Sequence, residues 1–99
     1  MARSESARVA RAQRDLGDQL RTWRKLHSLT IEQVAERART TRQTVARLEQ
    51  GDGSVGIGIV LEICRALGLL DQVVKSLDPF ESDLGRARAE DRLPKRIRS

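Results

Sequence analysis

The sequence predicts an all-α fold, and three observations carry that expectation. Apolar residues recur at intervals of three and four, no segment alternates with period two, and tyrosine is absent. Residues that start and stop helices also stand where that spacing begins and ends: Thr30 and Thr41 ahead of apolar stretches, Gly51 and Gly68 behind them.

Five helices follow in order. Leu16, Leu20 and Trp23 form the stripe of the first, which Ser6 can cap upstream and which should end near His27-Ser28. Thr30 opens the second, with Gln33 three residues on to complete a capping box and Leu29 placed to staple onto Val34. Val34, Ala35 and Ala38 give it a short apolar face. Thr41 caps the third, Val45 and Leu48 face inward, and Gly51 ends it. Asp52-Gly53-Ser54-Val55-Gly56 reads as a loop. The fourth helix runs from about Ile57 to Leu67, with Val60, Ile63 and Leu67 in register and Gly68 as its stop. The fifth spans Leu70 to Leu77, and Asp78-Pro79 terminates it. Ser82-Asp83 can cap one more short helix through Leu84–Arg92, ahead of Pro94 and the basic run Lys95-Arg96-Ile97-Arg98.

With 99 residues and 38% hydrophobic content, the chain is one small domain with a thin core. Trp23 and Phe80 are its two aromatics. This composition argues against a large enzyme with a deep pocket. No apolar run approaches the ~18 residues that cross a membrane, and no apolar stretch follows Met1 to act as a secretory signal. Cys64 is a single cysteine, which fits a reducing, cytoplasmic setting.

The net charge is +5, and its placement is uneven. Residues 1–14 carry +3, residues 15–78 balance nine basic against nine acidic side chains, and residues 79–99 carry +2. The expected organisation is a basic N-terminal extension (1–14), a balanced globular unit (15–78) and a basic C-terminal tail (79–99). Basic ends suit a polyanion such as nucleic acid, or serve only as solvated tails.

Residues 31–49 carry the functional signal. Two short helices joined by a tight turn, with small Ala35 where they must cross closely, have the spacing of a helix-turn-helix. Such pairs also occur in bundles that touch no DNA. Here, however, Thr40 to Leu48 contains no acid. The third helix turns Arg42, Gln43, Ala46 and Arg47 outward. Arginine can donate two bonds to guanine and glutamine can pair with adenine, so Arg42, Gln43 and Arg47 are the expected base contacts. Thr41 and Thr44 at the same helix start, Arg39 in the turn and Ser54 in the following loop are the expected phosphate contacts.

Residues 16–77 resemble the Xre/Cro-type helix-turn-helix family of repressors. The resemblance lies in Leu20–Lys25, Leu29–Ala35, Thr41–Gly51 and Leu61–Gly68. It implies a compact five-helix, lambda-repressor-like domain, here with N- and C-terminal extensions, that binds a palindromic double-stranded DNA operator as a homodimer. It also implies an ion pair between Arg24 and Glu49, bridging helices one and three. The segment Leu77–Arg86 with the end Leu93–Arg98 is similar to HipB-type antitoxins, which implies a HipA-type kinase toxin as partner and repression of the shared operon. Two positions depart from the family pattern. Arg39 stands where glycine is usual, at a site of left-handed backbone that would cost a larger residue ~1–2 kcal/mol. Ile31 replaces a glutamine that contacts phosphate, leaving that task to Gln33 or to backbone amides.

The remaining residues read more plainly. Trp23 is expected in the core, His27 as a solvated or capping residue, and Cys64 as a small buried hydrophobe. Gly53, Gly56 and Gly58 mark a tight turn beside a helix start and not a dinucleotide fingerprint. No catalytic constellation, metal cluster or cofactor motif is present, so no enzyme activity and no cofactor are expected. Leu70, Val73, Val74, Leu77 and Phe80 are too many apolar residues for one side of a short helix, and they form the expected dimer surface unless a terminal segment folds over them. Two other functions share this fold: a stand-alone Xre-family regulator, and an adaptor that inhibits an enzyme partner without binding an operator.

Overall fold

The computed structural model describes residues 6–93. Expectations for the first five residues and for the run Lys95–Arg98 lie outside them. Six helices follow one another: α1 (Ala7–Leu26), α2 (Ile31–Ala38), α3 (Arg42–Glu49), α4 (Ile57–Ala66), α5 (Leu70–Ser76) and α6 (Asp83–Arg92), with a 3-10 turn at Pro79–Glu81 before α6. No strand occurs among the described residues. The all-α expectation holds, with α6 added to the five-helix count by the short segment that Ser82 caps.

Caps set the helix starts. Ser6 accepts the Val9 N–H, so α1 begins well ahead of its apolar stripe and runs unbroken for 20 residues. Thr30 and Gln33 form the capping box, each side chain satisfying the other residue's amide. Thr41 accepts from the Thr44 amide and Ser82 from that of Gly85. Each such cap contributes ~1 kcal/mol.

The ends of α1 to α4 share one device. At Ser28, Arg39, Gly51 and Gly68 the backbone turns left-handed, with φ of 57°, 59°, 85° and 75°. Each time that residue's N–H reaches the carbonyl three back and the next N–H reaches the carbonyl five back, which satisfies the orphan carbonyls of the last helical turn. The turn between α2 and α3 therefore closes in this left-handed form with a non-glycine residue, Arg39, at its hinge. Arg39 accepts the strain because both of these bonds, to Ala35 and Glu36, hold it there.

The core joins Leu20 of α1, Val34, Ala35 and Ala38 of α2, Val45 and Leu48 of α3, Ile63, Cys64 and Leu67 of α4 and its end, and Leu69. Burying each larger side chain contributes ~1.5–3 kcal/mol. Cys64 is buried as expected, and desolvation pushes its thiol above the usual value. Trp23 is not a core residue: it is 39% exposed and stacks on His27 at 6.0 Å between ring centres. Leu16 is likewise 45% exposed. The inward face of α1 is instead Gly17, Leu20 and Arg24, a face offset around the helix from the Leu16–Trp23 side. The His27 ring donates from Nε2 to the Leu67 carbonyl at 3.0 Å, capping the end of α4 rather than its own helix.

Candidate nucleic-acid interface

Helix α3 is held from behind. Val45 and Leu48 are 1% and 7% exposed, so the face opposite the solvent is fixed in the core. Its last residue, Glu49, is buried and meets Arg24 of α1: Nε to Oε2 at 2.7 Å and Nη2 to Oε1 at 3.1 Å. The remaining Arg24 nitrogen donates to the Leu29 carbonyl at 3.0 Å, just before α2. One guanidinium thus ties α1, the approach to α2 and the end of α3. The expected bridge is present in bidentate form, and the Glu49 carboxylate raises the Arg24 pKa.

Gly17 makes that approach close enough. A Cβ there would lie 2.6 Å from the carbonyl oxygens of both Leu48 and Glu49. No sequence signal singled it out; a glycine inside a strong helix pattern is the hint that could have. A second unforeseen clamp is Arg65 of α4. It donates to the Arg37 carbonyl at 2.7 Å and pairs with Glu62 at 2.8 Å, holding the end of α2 against α4 just ahead of the Arg39 turn.

On the solvent side stand the residues expected to meet DNA. Arg42, Gln43 and Arg47 are exposed, as are Arg39, Thr41 and Ser54, while Thr44 is half-buried. Thr41 and Thr44 share a hydroxyl–hydroxyl bond of 2.9 Å while Thr41 Oγ1 also accepts the Thr44 amide at 3.1 Å. That arrangement leaves the pair one hydroxyl hydrogen for an outside acceptor. Gly56 caps α4 with extended backbone and no side-chain bond, close behind Ser54.

Two of the exposed arginines have acidic neighbours that the acid-free run of α3 did not reveal. Arg42 Nη1 lies 3.7 Å from Glu32 Oε2 on α2. Arg47 Nε lies 3.3 Å from Asp52 Oδ2, and its Nη2 lies 3.4 Å from Ser54 Oγ. Asp52 Oδ1 accepts the Ser54 amide at 2.8 Å, closing the loop as an Asx turn. The bonds from Ser54, then the charge of Arg47, hold the Asp52 carboxyl below its ordinary value. The Asp52-Gly53-Ser54 turn signature was legible, but the carboxylate's reach back to α3 was not.

The apolar residues of the C-terminal half divide. Val73 packs on the core and Leu70 is half-buried, whereas Val74, Leu77 and Phe80 are 61%, 85% and 44% exposed. Among the described residues no helix is long and apolar enough to cross a membrane, and no group of three or more His, Cys, Asp or Glu is placed to hold a metal ion.

A family model described as "Helix-turn-helix domain" matches residues 15–77, which contain all of α2 to α5 and most of α1. Neither the comparison with curated proteins nor that with solved structures gives a match. The paired helices α2 and α3, with Ala35, Ala38, Val45 and Leu48 buried in one core, agree with a family match over most of the chain, and the chain belongs to the helix-turn-helix domain family.

Proposed function

We propose that this protein is a sequence-specific DNA-binding transcriptional repressor, with residues 15–78 as the DNA-binding unit and residues 1–14 and 79–99 as basic extensions. The observation that carries the proposal is the two-sidedness of α3. Its inner face is fixed by Val45, Leu48 and the Arg24–Glu49 pair, while Arg42, Gln43 and Arg47 stand free of the core on the other side. A helix held this firmly can bring polar side chains to base edges without a cost for ordering the helix itself. Arg42, Gln43 and Arg47 are assigned to bases; Arg39, Thr41, Thr44 and Ser54 to phosphates. The ordinary partner is a second copy through Val74, Leu77 and Phe80, with Leu70 and Val73 behind them, which would set two reading helices on a palindromic operator.

A duplex selected from a random library by the wild-type protein supplies the operator. Arg42→Ala should then weaken binding by ~1–3 kcal/mol and relax preference at one base. Equal weakening on every sequence would make Arg42 a phosphate contact, and failure to select any duplex would remove the DNA reading.

The similarity of Leu77–Arg86 to HipB-type antitoxins supports a narrower reading, the antitoxin of a HipA-type kinase toxin whose operon it represses. A kinase encoded beside this gene, inhibited by the purified protein at one-to-one stoichiometry, is the expected result. An active kinase in that mixture would leave the stand-alone regulator.

A further inference from the structure

We infer that Asp52 and Glu32 are specificity-determining residues that hold the two reading arginines away from non-specific phosphate. This inference rests on the reading of α3 proposed above. Each arginine is paired to a carboxylate that lies outside α3: Arg47 to Asp52 in the α3–α4 loop at 3.3 Å, Arg42 to Glu32 on α2 at 3.7 Å. Arg47 is the more constrained. Its Nε faces Asp52 and its Nη2 faces Ser54 Oγ, so both donors of one guanidinium edge are turned to residues only two apart, and the Nη1 end stays open. Asp52 is itself fixed by the Ser54 amide at 2.8 Å, so the carboxylate is a built feature of the loop and not a free side chain.

The physical consequence concerns a difference between two kinds of DNA. A phosphate carries a full negative charge, so as it nears Arg47 it is repelled by the Asp52 carboxylate paired there. A correct base offers two acceptors to the far end of the guanidinium, and Arg47 can keep its Nε on Asp52 while it donates from its terminal nitrogens. The acid therefore penalises the backbone contact and supports the base contact. Because counterion release drives non-specific binding, removing a fixed negative charge strengthens that mode first. Specificity is a ratio of affinities, and a repulsive element against the wrong partner raises it.

Asp52→Asn separates the ion pair from the turn, since Asn keeps an oxygen for the Ser54 amide. The wild type, Asp52→Asn and Glu32→Gln are titrated against the selected operator and a random duplex of equal length over a salt series, with melting temperatures confirming an intact fold. For Asp52→Asn the random duplex should bind more tightly and its log–log salt slope steepen by up to ~0.9. Operator binding should not tighten, so the specificity ratio falls about tenfold. Glu32→Gln should shift the ratio in the same direction by less, because its pair is longer and open to solvent. An unchanged ratio and slope, or an equal tightening on both duplexes, would overturn the inference while leaving α3 as the reading helix. Wild-type binding with no preference between the duplexes would remove the reading of α3, and this inference with it.

Discussion

At the α1–α3 junction two opposite charges are buried against each other, whereas at the C-terminal end of the chain large apolar side chains stand in solvent. Arg24 and Glu49 are each 9% exposed; Leu77 is 85% exposed. The junction is finished within one chain, since every bond that Arg24 makes is to α1, α3 or the segment between them and α2. The C-terminal end is unfinished in the same sense: nothing among the described residues covers Val74 or Leu77. The contrast separates the part of the molecule that fixes α3 from the part whose apolar side chains stand in solvent.

Breaking the junction should have the largest effect. Glu49→Gln leaves a buried guanidinium facing a neutral amide and should cost ~3–5 kcal/mol in urea denaturation, whereas the double change Arg24→Met with Glu49→Leu should cost far less. Equal losses in the single and double variants would show that packing, not charge, holds α3. Gly17→Ala tests the same contact by shape. Its Cβ would meet two carbonyl oxygens at 2.6 Å, and forcing α1 and α3 apart should cost ~1–3 kcal/mol. An Ala variant with wild-type stability would show that the helices do not approach so closely in solution.

Next in size is a gain. Arg39 sits at φ 59° and ψ 43°, and Arg39→Gly should stabilise the fold by ~0.5–1 kcal/mol, the relief of left-handed strain less the entropy that glycine adds to the unfolded chain. If Arg39 also holds phosphate, the same variant binds DNA less tightly while melting higher, an opposition that no purely structural role produces.

The C-terminal surface should respond in mass rather than stability. Leu77→Asp should change unfolding free energy by less than ~0.5 kcal/mol yet halve the sedimenting mass. Val73→Asp, at a position packed on the core, would confuse the two effects. The smallest expected change is at alkaline pH. Burial raises the Cys64 thiol above its value in the unfolded chain, so the unfolded state loses that proton first. Stability is full below the ordinary thiol pKa and declines as pH rises through the folded value. Cys64→Ala should flatten that limb in pH-dependent melting; an unchanged limb would assign it to other groups.

The difference between these regions also explains what the sequence could disclose. Caps and stops were legible because they act within five residues: Ser6, Thr30, Gln33, Thr41, Gly51, Gly68 and Ser82 all do what their local chemistry dictates. The Arg24–Glu49 bridge was legible only through family resemblance, since nothing local relates residues 25 apart. Trp23 and Leu16 misled because their spacing with Leu20 gives a helical stripe without saying which edge of it meets the core. That choice is made by Gly17, which draws α1 onto α3 along another face. On α3, the acid-free stretch Thr40–Leu48 pointed to the exposed flank of Arg42, Gln43 and Arg47, but Glu32 and Asp52 return from neighbouring segments to pair with Arg42 and Arg47, a relation that only the fold creates.

The central claim is that the solvent flank of α3 is the surface that reads DNA, and amide resonances of the labelled protein titrated with its selected duplex test it most directly. The largest shifts should fall on residues 41–47 and 52–56, with residues 70–80 little affected. Shifts confined to the C-terminal half, or none at all in the presence of saturating duplex, would contradict the account.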